Sequence, residues 1–266
     1  MELIEEIRGI VRSAGEIILH AEGQRNAQAV KEGHANFVTV YDRQVQEYLI
    51  EKLSLLLPEA QFLGEEEGKD LFREEYRSGL LFVIDPIDGT SNFMNGLFPS
   101  VISVGLFKDG RPYIGVVYNP VSDQMFFAEK GKGAYVLENG AGEAKTLHAS
   151  EKPLARSLVS FGTSPYHSEL FERTFALAAD CLPRCIDLRR SGCAAWDLCM
   201  VASGRIGMYF ECEIGIWDCA AGVLLVTEAG GSATQLSGEP LTYDGPTSML
   251  ACGAGITEED KGFLRR

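Results

Sequence analysis

The sequence predicts a mixed α and β protein, in which two helices and an antiparallel sheet are followed by alternating strands and helices. Three observations lead to this fold class. The chain opens with two amphipathic stretches, a series of short apolar runs separated by turn residues follows, and the pattern alternates after residue 150. The 266 residues are 45% hydrophobic and 23% charged, which is enough apolar material to bury one large core or two fused ones.

The first two elements are predicted to be amphipathic helices. Apolar residues recur on one helical face from Leu3 to Ala21, and Gly23 is expected to end that helix. A second helical pattern runs from Asp42 to Leu57, and Pro58 closes it.

An antiparallel meander is predicted next. Leu80–Ile84 is fully apolar and is followed by Asp85-Pro86; because proline holds the preceding residue extended, a strand should end there. Asp-Gly, Asn-Pro and glycine turns separate the next four predicted strands. These are Val101–Phe107, Tyr113–Tyr118, Met125–Ala128 and Ala134–Leu137.

The second half is predicted to alternate strands and helices to its end. In order, we expect strand Leu158–Phe161, helices Glu169–Cys181 and Cys193–Ala202, strand Met208–Glu211, helix Asp218–Ala229, strand Met249–Cys252 and a terminal helix. The stretch from Ala141 to Glu151 has the composition of a linker. We therefore divide the chain into residues 1–149, a helix-plus-antiparallel-sheet half, and residues 150–266, an α/β half.

The charge balance excludes several kinds of partner. With 24 basic and 38 acidic residues the formal net charge is −14, which repels nucleic acid and anionic lipid. No apolar run has the length of a membrane span, and the chain opens with acidic residues where a secretory signal would carry basic ones. We therefore expect a soluble, cytoplasmic protein that binds neither nucleic acid nor membrane.

The cysteines are interpreted as reduced packing residues. All seven follow residue 180, and their number is odd with no CxxC pair. A zinc site is the alternative, but the four histidines lack the spacing of zinc ligands.

The strongest functional signal is the hexapeptide Asp85-Pro86-Ile87-Asp88-Gly89-Thr90, where an apolar strand meets a glycine turn. Two carboxylates three positions apart in a turn can converge on one cation, and the bent backbone can add the carbonyl of the intervening isoleucine. The amides that follow begin a helical turn, whose free N–H groups favour a phosphate. The alternative is that this motif is only good turn chemistry.

Two further acidic motifs flank this signal in the sequence. Gly64–Gly68 encloses three glutamates between glycines, which alone is more typical of a solvated loop. Trp217–Gly222 places Asp218 at a predicted helix start, followed by small residues that allow close packing. An aspartate there is either a helix cap or a metal ligand.

Together these motifs resemble the signature of the inositol monophosphatase family and its bacterial inositol-1-monophosphatase-like members, which reads GEE, DPxDGT and WDxAAG in this order. Glu65 precedes Asp85 by twenty residues, and a VTxxD segment stands at Val38–Asp42. The resemblance implies the family's α+β / α/β layered sandwich (αβαβα), shared with fructose-1,6-bisphosphatase-like proteins. It also implies a homodimeric, lithium-sensitive hydrolase that uses a metal-activated water to release inositol and phosphate from inositol monophosphate.

The resemblance further implies two to three Mg²⁺ ions, for which Mn²⁺ could substitute, and their ligands. Glu65, Asp85 and the Ile87 carbonyl would hold the first ion, and Asp85, Asp88 and Asp218 the second. Glu65 would also help to seat a third ion through waters. This fits the net charge, because the sequence has no arginine or lysine cluster and bound cations would present the positive surface that an anionic substrate requires.

The catalytic and substrate-binding residues are likewise implied by the resemblance. Thr90, hydrogen-bonded to Asp42, would orient the attacking water, although Asp42 could also be only a helix-start cap. The phosphate would lie on the Gly89 and Thr90 amides. The polyol hydroxyls would meet Asp88, Glu211, Thr163 and the backbone of Gly192 and Ala194.

Three departures from the family pattern bear on specificity. Asn36 stands where an aspartate is common, Glu213 competes with Glu211 for the substrate-contact role, and Trp196 is bulkier than the expected aliphatic residue. Fructose 1,6-bisphosphate, histidinol phosphate and 3′-phosphoadenosine 5′-phosphate are alternative substrates on the same scaffold. A partner role in transcription or ribosome assembly, known for some bacterial relatives, is an alternative of another class. The isoleucine of DPIDGT and the position of Glu211 favour inositol phosphate.

Overall fold

Two β-sheets organise the protein, whose computed structural model describes residues 2–21, 28–30, 37–67, 74–139 and 142–265. Within these ranges the larger sheet has seven strands and the smaller has five. A separate antiparallel hairpin is formed by β1 (Gln28–Val30) and β2 (Phe37–Thr39).

The larger sheet follows the order of the sequence and contains the predicted meander. Its first two strands are parallel and the others antiparallel. Its members are β3 (Gln61–Gly64), β4 (Leu80–Asp88), β5 (Val101–Lys108), β6 (Arg111–Asn119), β7 (Gln124–Glu129), β8 (Gly133–Glu138) and β9 (Lys145–Thr146).

Strand β4 does not end before Asp85, as the sequence predicted, but continues through the acidic motif to Asp88. Its register with β5 shifts between Asp85 and Asp88. Pro86 has no N–H to donate, and a bulge is a position in a sheet that tolerates this loss. The proline therefore bends the strand and does not stop it.

The smaller sheet is mixed and has five strands: β10 (Leu158–Phe161), β11 (Asp187–Arg189), β12 (Met208–Ile214), β13 (Ser232–Thr234) and β14 (Thr247–Cys252). Their order in the sheet is β11-β10-β12-β14-β13. Strand β10 is parallel to both of its neighbours, and β14 is antiparallel to both of its own. The sequence did not predict β11 and β13, which have three residues each and no apolar run.

Six α-helices complete the fold in the described ranges: α1 (Leu3–Leu19), α2 (Val40–Leu56), α3 (Thr90–Asn95), α4 (Phe171–Cys181), α5 (Ala194–Ala202) and α6 (Ile216–Glu228). The predicted terminal helix is wrong, because Gly262–Arg265 forms only a 3₁₀ turn. The helix end expected at Gly23 lies outside the described residues. Ala141 does too, while Lys145–Thr146 of the predicted linker pairs with β8 as an edge strand.

The helices and sheets form five layers. Helices α1 and α2 cover one face of the larger sheet, α5 and α6 lie between the two sheets, and α4 covers the outer face of the smaller sheet. The central layer is the most apolar: Leu198, Leu225, Val117 and Tyr209 belong to one buried cluster there. The layered sandwich that the resemblance implied is confirmed.

Helix α6 approaches the larger sheet closely because glycines face it. Gly105 and Gly115 lie opposite each other on β5 and β6. A Cβ at Gly115 would stand 2.7 Å from the Ala221 carbonyl oxygen, and one at Gly105 would stand 3.0 Å from the Ala220 Cβ. The small residues after Asp218 thus fit the bare backbone of the sheet, and this contact fixes where the start of α6 lies.

The seven cysteines are free thiols, and all are buried except the partly exposed Cys185. This agrees with their interpretation as packing residues. Cys193 has an additional contact, since its thiol lies 3.2 Å from an oxygen of Asp88. In the ranges that the structure describes, no helix has both the length and the apolar character needed to span a bilayer.

Candidate active site

The predicted site residues converge on one cleft at the edge of the two sheets. Three parts of the chain line the cleft. They are the turn between β4 and α3, the loops after β10 and before α5, and the connection from β12 to α6. Every predicted site residue except Asp42 lines this cleft: Glu65, Asp85, Ile87, Asp88, Gly89, Thr90, Thr163, Gly192, Ala194, Glu211 and Asp218. Asp42 lies behind it, against Thr90.

Three aspartates form the acidic centre of the cleft. Carboxylate oxygens of Asp85, Asp88 and Asp218 lie within 4.8 Å of one another. One oxygen of each is held by a backbone amide: the distances are 3.0 Å to Ile87 N, 2.6 Å to Ala195 N and 3.0 Å to Gly215 N, respectively. Each carboxylate is thereby oriented and offers one oxygen to the cluster. The carboxyl groups of Asp85 and Asp218 are also hydrogen-bonded to each other.

The electrostatics of this cluster suit a bound cation. Burial raises the pKa of Asp85 well above its usual value, and repulsion from Glu65, Asp88 and Asp218 adds to the effect. The pKa of Asp218 is raised in the same way, by burial and then by Asp88 and Glu65. Burial also raises the pKa of Asp88 to about 6, although hydrogen bonds from Cys193 and the Ala195 amide oppose the shift. An all-oxygen set of mutually repelling acids fits a hard divalent ion such as Mg²⁺.

Thr90 and Asp42 are in contact, as the resemblance implied. The Thr90 hydroxyl lies 3.2 Å from Asp42 Oδ1 and 2.9 Å from the Ile87 carbonyl oxygen. The other oxygen of Asp42 accepts hydrogen bonds from the Thr39 amide and hydroxyl at 2.7 and 2.5 Å, which caps α2. Burial raises the pKa of Asp42 against the effect of these bonds. Asp42 is thus both a helix cap and the partner of Thr90.

The turn between β4 and α3 lines the cleft with Gly89, Thr90 and Ser91. Gly89 has a φ of +86°, in the left-handed region, and a Cβ there would stand 3.0 Å from the Pro99 carbonyl oxygen. Glycine is therefore required at this position. Amides at the start of a helix lack partners within the helix, so those of this turn are candidates to donate to an anion.

Glu211 and Glu213 both line the cleft, but in different surroundings. Glu211 is buried and accepts hydrogen bonds from the Tyr209 hydroxyl at 2.5 Å and the Ser164 amide at 2.9 Å. Burial raises its pKa, although these bonds oppose the shift. Glu213 is partly exposed and lies 2.8 Å from His167 Nε2. A register shift in β12 between Glu211 and Ile214 accompanies this difference.

The sequence analysis missed several residues of the cleft, of which Arg190 is the most important. Its guanidinium donates to Thr163 Oγ1 at 2.8 Å and supplies a positive charge to the cleft that Glu211 also lines. Arg190 stands two positions before Gly192, so the position of the predicted glycine contact was the available signal. His167, Tyr166 and Asn92 also line the cleft. No motif marks the segment of His167 and Tyr166, whereas Asn92 stands two positions after the DPIDGT motif.

A layered sandwich that holds an oriented all-oxygen acidic cluster beside the start of a helix is the arrangement of a phosphatase that works with metal ions. The chain belongs to the inositol monophosphatase family, whose model matches residues 1–263. The family assignment made from the motifs is thereby confirmed.

Individual relatives agree with the family assignment and carry two kinds of name. The chain is 31% identical to the inositol-1-monophosphatase of Bacillus subtilis, over 96% of this chain and 93% of the relative. It is 34% identical to the Nus factor SuhB of Pasteurella multocida, over 85% of this chain and 82% of the relative. The crystal structure of the extragenic suppressor protein suhB from Bartonella henselae superposes with a TM-score of 0.87 at 28% identity, covering 99% of this chain and 98% of that one.

Proposed function

We propose that this phosphatase is Mg²⁺-dependent and hydrolyses inositol monophosphate to inositol and phosphate. The observation that carries the proposal is the aspartate cluster, in which each carboxylate is oriented by one amide and offers one oxygen as a possible ligand. The inositol-1-monophosphatase of Bacillus subtilis supports the substrate.

The acidic residues would hold the cations. Glu65, Asp85, Asp88, Asp218 and the Ile87 carbonyl are the proposed ligands for two to three ions, with Mn²⁺ as a substitute for Mg²⁺. When bound, such ions neutralise the phosphate and lower the pKa of water.

Thr90 and Asp42 would direct the nucleophile. If the Thr90 hydroxyl donates a hydrogen bond to Asp42, its oxygen can accept a hydrogen bond from the attacking water. That hydrogen bond orients the water so that one of its lone pairs points towards phosphorus. The amides of Gly89 and Thr90 would meanwhile hold the phosphate oxygens, so that the water and the phosphorus keep a fixed geometry.

The opposite side of the cleft would hold the leaving group. Glu211 and Asp88 offer carboxylate oxygens to polyol hydroxyls, and such charge-assisted bonds are stronger than neutral ones. Thr163 and the backbone of Gly192 and Ala194 complete this side. Arg190, which holds Thr163 in place, adds a donor that the sequence did not predict.

The test is a panel of phosphate monoesters scored by kcat/KM with and without Mg²⁺. It should contain myo-inositol 1-phosphate, fructose 1,6-bisphosphate, histidinol phosphate, 3′-phosphoadenosine 5′-phosphate and p-nitrophenyl phosphate. We expect the inositol ester to be preferred, activity to disappear in EDTA, and Asp85→Asn to lose several kcal/mol of transition-state stabilisation. Asp180→Asn, on the exposed side of α4, is the matched control. Full activity after removal of divalent ions would exclude the proposed mechanism.

A second role, as a partner of the transcription machinery, is favoured by the Nus factor name of the Pasteurella multocida relative. It can be separated from catalysis by a pull-down with the Asp85→Asn variant, which should keep any such partner while losing turnover. We also propose a cytoplasmic homodimer that lithium inhibits. Light scattering, cell fractionation and an assay in lithium chloride test these three properties.

A further inference from the structure

Asn92, on the short helix after the DPIDGT motif, joins two separate parts of the cleft. Its Nδ2 lies 2.6 Å from the carbonyl oxygen of Pro99 and 2.9 Å from that of Ser191. Both partners are acceptors, so they require the two hydrogens of a side-chain amide. The second bond crosses 99 residues of sequence, from α3 to the loop before α5.

The same side chain lies between the two glycines that are proposed to meet opposite ends of the substrate. A Cβ at Gly89 would stand 3.5 Å from Asn92 Nδ2, and one at Gly192 would stand 3.5 Å from its Oδ1. Both glycines have positive φ, +86° and +78°. The amide plane of Asn92 thus fills the space between the phosphate turn and the polyol loop.

The polyol loop is held from its other side by α5. The Ser191 hydroxyl donates to Asp197 Oδ2 at 2.7 Å and accepts from the Cys193 amide at 3.1 Å. These bonds fix the loop to the helix that follows it. Asp88 holds the far end of the loop, since it accepts from the Ala195 amide at 2.6 Å and the Cys193 thiol at 3.2 Å. Asn92 adds the tie from α3 to Ser191, on the other side of Gly192.

We propose that Asn92 is a positioning residue that sets the distance between the phosphate turn at Gly89 and the polyol loop at Gly192, and thereby determines which leaving groups fit. The inference rests on the proposed function, because it assigns those two glycines to phosphate and polyol. Loss of Asn92 frees the Ser191 side of the loop to move relative to the bound phosphate, while Asp88 still holds the Ala195 side. Binding of a polyol phosphate, which must contact both sides of the cleft, is therefore weakened. Binding of a small aryl ester, which contacts mainly the phosphate side, is not.

The test uses two variants and a matched control. Asn92→Ala removes both hydrogen bonds together with the filling side chain. Asn92→Asp keeps the shape but turns a carboxylate towards two carbonyl oxygens. The control is Asn95→Ala on the same helix, where Nδ2 bonds at 2.8 Å only to the nearby Ser91 carbonyl.

We expect Asn92→Ala and Asn92→Asp to lower kcat/KM for myo-inositol 1-phosphate by about tenfold or more, mainly through KM, because two hydrogen bonds are lost. For p-nitrophenyl phosphate the change should stay below about threefold. Asn95→Ala should leave both values near wild type. Equal losses on the two substrates would show a merely structural role and overturn the proposal, as would no loss on either.

A second measurement does not depend on any activity. Hydrogen exchange followed by mass spectrometry should show amides of residues 190–192 exchanging about tenfold faster in Asn92→Ala, since the bond that ties Ser191 to α3 is gone. Exchange in β5 should not change, nor should exchange in Asn95→Ala. Unchanged exchange at 190–192 would overturn the positioning role. A wild-type protein that hydrolyses no monoester would instead refute the proposed function and leave this readout valid.

Discussion

Glu211 is buried beside Tyr209 and Ser164, while Glu213 lies at the surface against His167. Substitution of a buried carboxylate that accepts oriented hydrogen bonds costs more interaction energy than substitution of a partly exposed one. We therefore predict that Glu211→Gln reduces the discrimination of inositol phosphate over p-nitrophenyl phosphate by about 1–3 kcal/mol, whereas Glu213→Gln changes it little. The measurement is kcat/KM for both substrates in both variants.

Two results would contradict this assignment. Equal losses on the two substrates for Glu211→Gln would place Glu211 among the metal ligands. If only Glu213→Gln lowered kcat/KM selectively for inositol phosphate, Glu213 would be the residue that contacts the substrate.

Asp197 predicts a pH dependence of stability. Its carboxyl is buried next to Ser191, and burial raises its pKa from 3.8 to about 7. Between these pH values the folded protein keeps a proton that the unfolded chain has released, so stability falls as the pH rises. The loss is about 1.4 kcal/mol per pH unit within that window.

The Asp197→Asn variant has no carboxyl group to titrate at this position, so comparison with it tests the predicted pH dependence. In EDTA, the free energy of unfolding between pH 5 and pH 7 should fall by about 2–3 kcal/mol more in wild type than in the variant. Urea unfolding at the two pH values provides the measurement. Parallel pH dependences would mean that Asp197 is already ionised in the folded protein.

At the scale of elements, the contact between α6 and the larger sheet depends on Gly115. A methyl group there meets the Ala221 backbone at 2.7 Å, and backbone cannot move aside as a flexible side chain can. We predict that Gly115→Ala destabilises the protein by about 1–3 kcal/mol and also weakens Mg²⁺ binding, because it displaces the helix that carries Asp218. Thermal unfolding and a Mg²⁺ titration monitored by tryptophan fluorescence measure the two effects.

Gly9→Ala is the matched control for this substitution. Gly9 lies within α1, and a Cβ there would meet nothing within 4 Å. This variant should be neutral, or more stable by up to about 1 kcal/mol, because alanine favours the helix. If both variants behaved alike, the close contact at Gly115 would not limit stability.

How far the sequence predicted these elements depended on how much apolar material each contains. Long periodic segments such as α1 and the strands of the meander were found, because burial imposes their pattern. Strands β11 and β13 are too short to show one, and the bulge at Pro86 depends on a pairing partner distant in sequence. Among cleft residues, the motifs indicated the acids. Arg190 and Asn92 stand two positions from predicted site residues, but they were missed because their roles depend on tertiary contacts.

At the scale of the whole molecule, the aspartate cluster concentrates part of a net charge of −14 in one buried place. A cation that binds only the folded protein stabilises it by mass action. We predict that millimolar Mg²⁺ raises the Tm of the wild-type protein by several degrees, and that Asp85→Asn abolishes most of this increase. In EDTA, Asp85→Asn should be at least as stable as wild type, since one of the mutually repelling acids is gone.

Differential scanning calorimetry over a Mg²⁺ series decides the matter, with Asp180→Asn as the control for loss of one acid far from the cleft. If Mg²⁺ raised the Tm of Asp85→Asn as much as that of wild type, the stabilising cation would bind at a site other than the aspartate cluster.

Helices α5 and α6 form the central layer, yet they follow the whole larger sheet in the chain. While the protein is being synthesised, the sheet face that carries Val117 and Phe126 is complete before the helices that bury it exist. The nascent chain therefore presents a broad apolar surface until residue 228 has left the ribosome, and this interval is its period of greatest risk of aggregation. The acidic cluster also forms late, because Asp218 arrives with α6. A cation held by this cluster would consequently act on the finished fold and contribute nothing to its early nucleus.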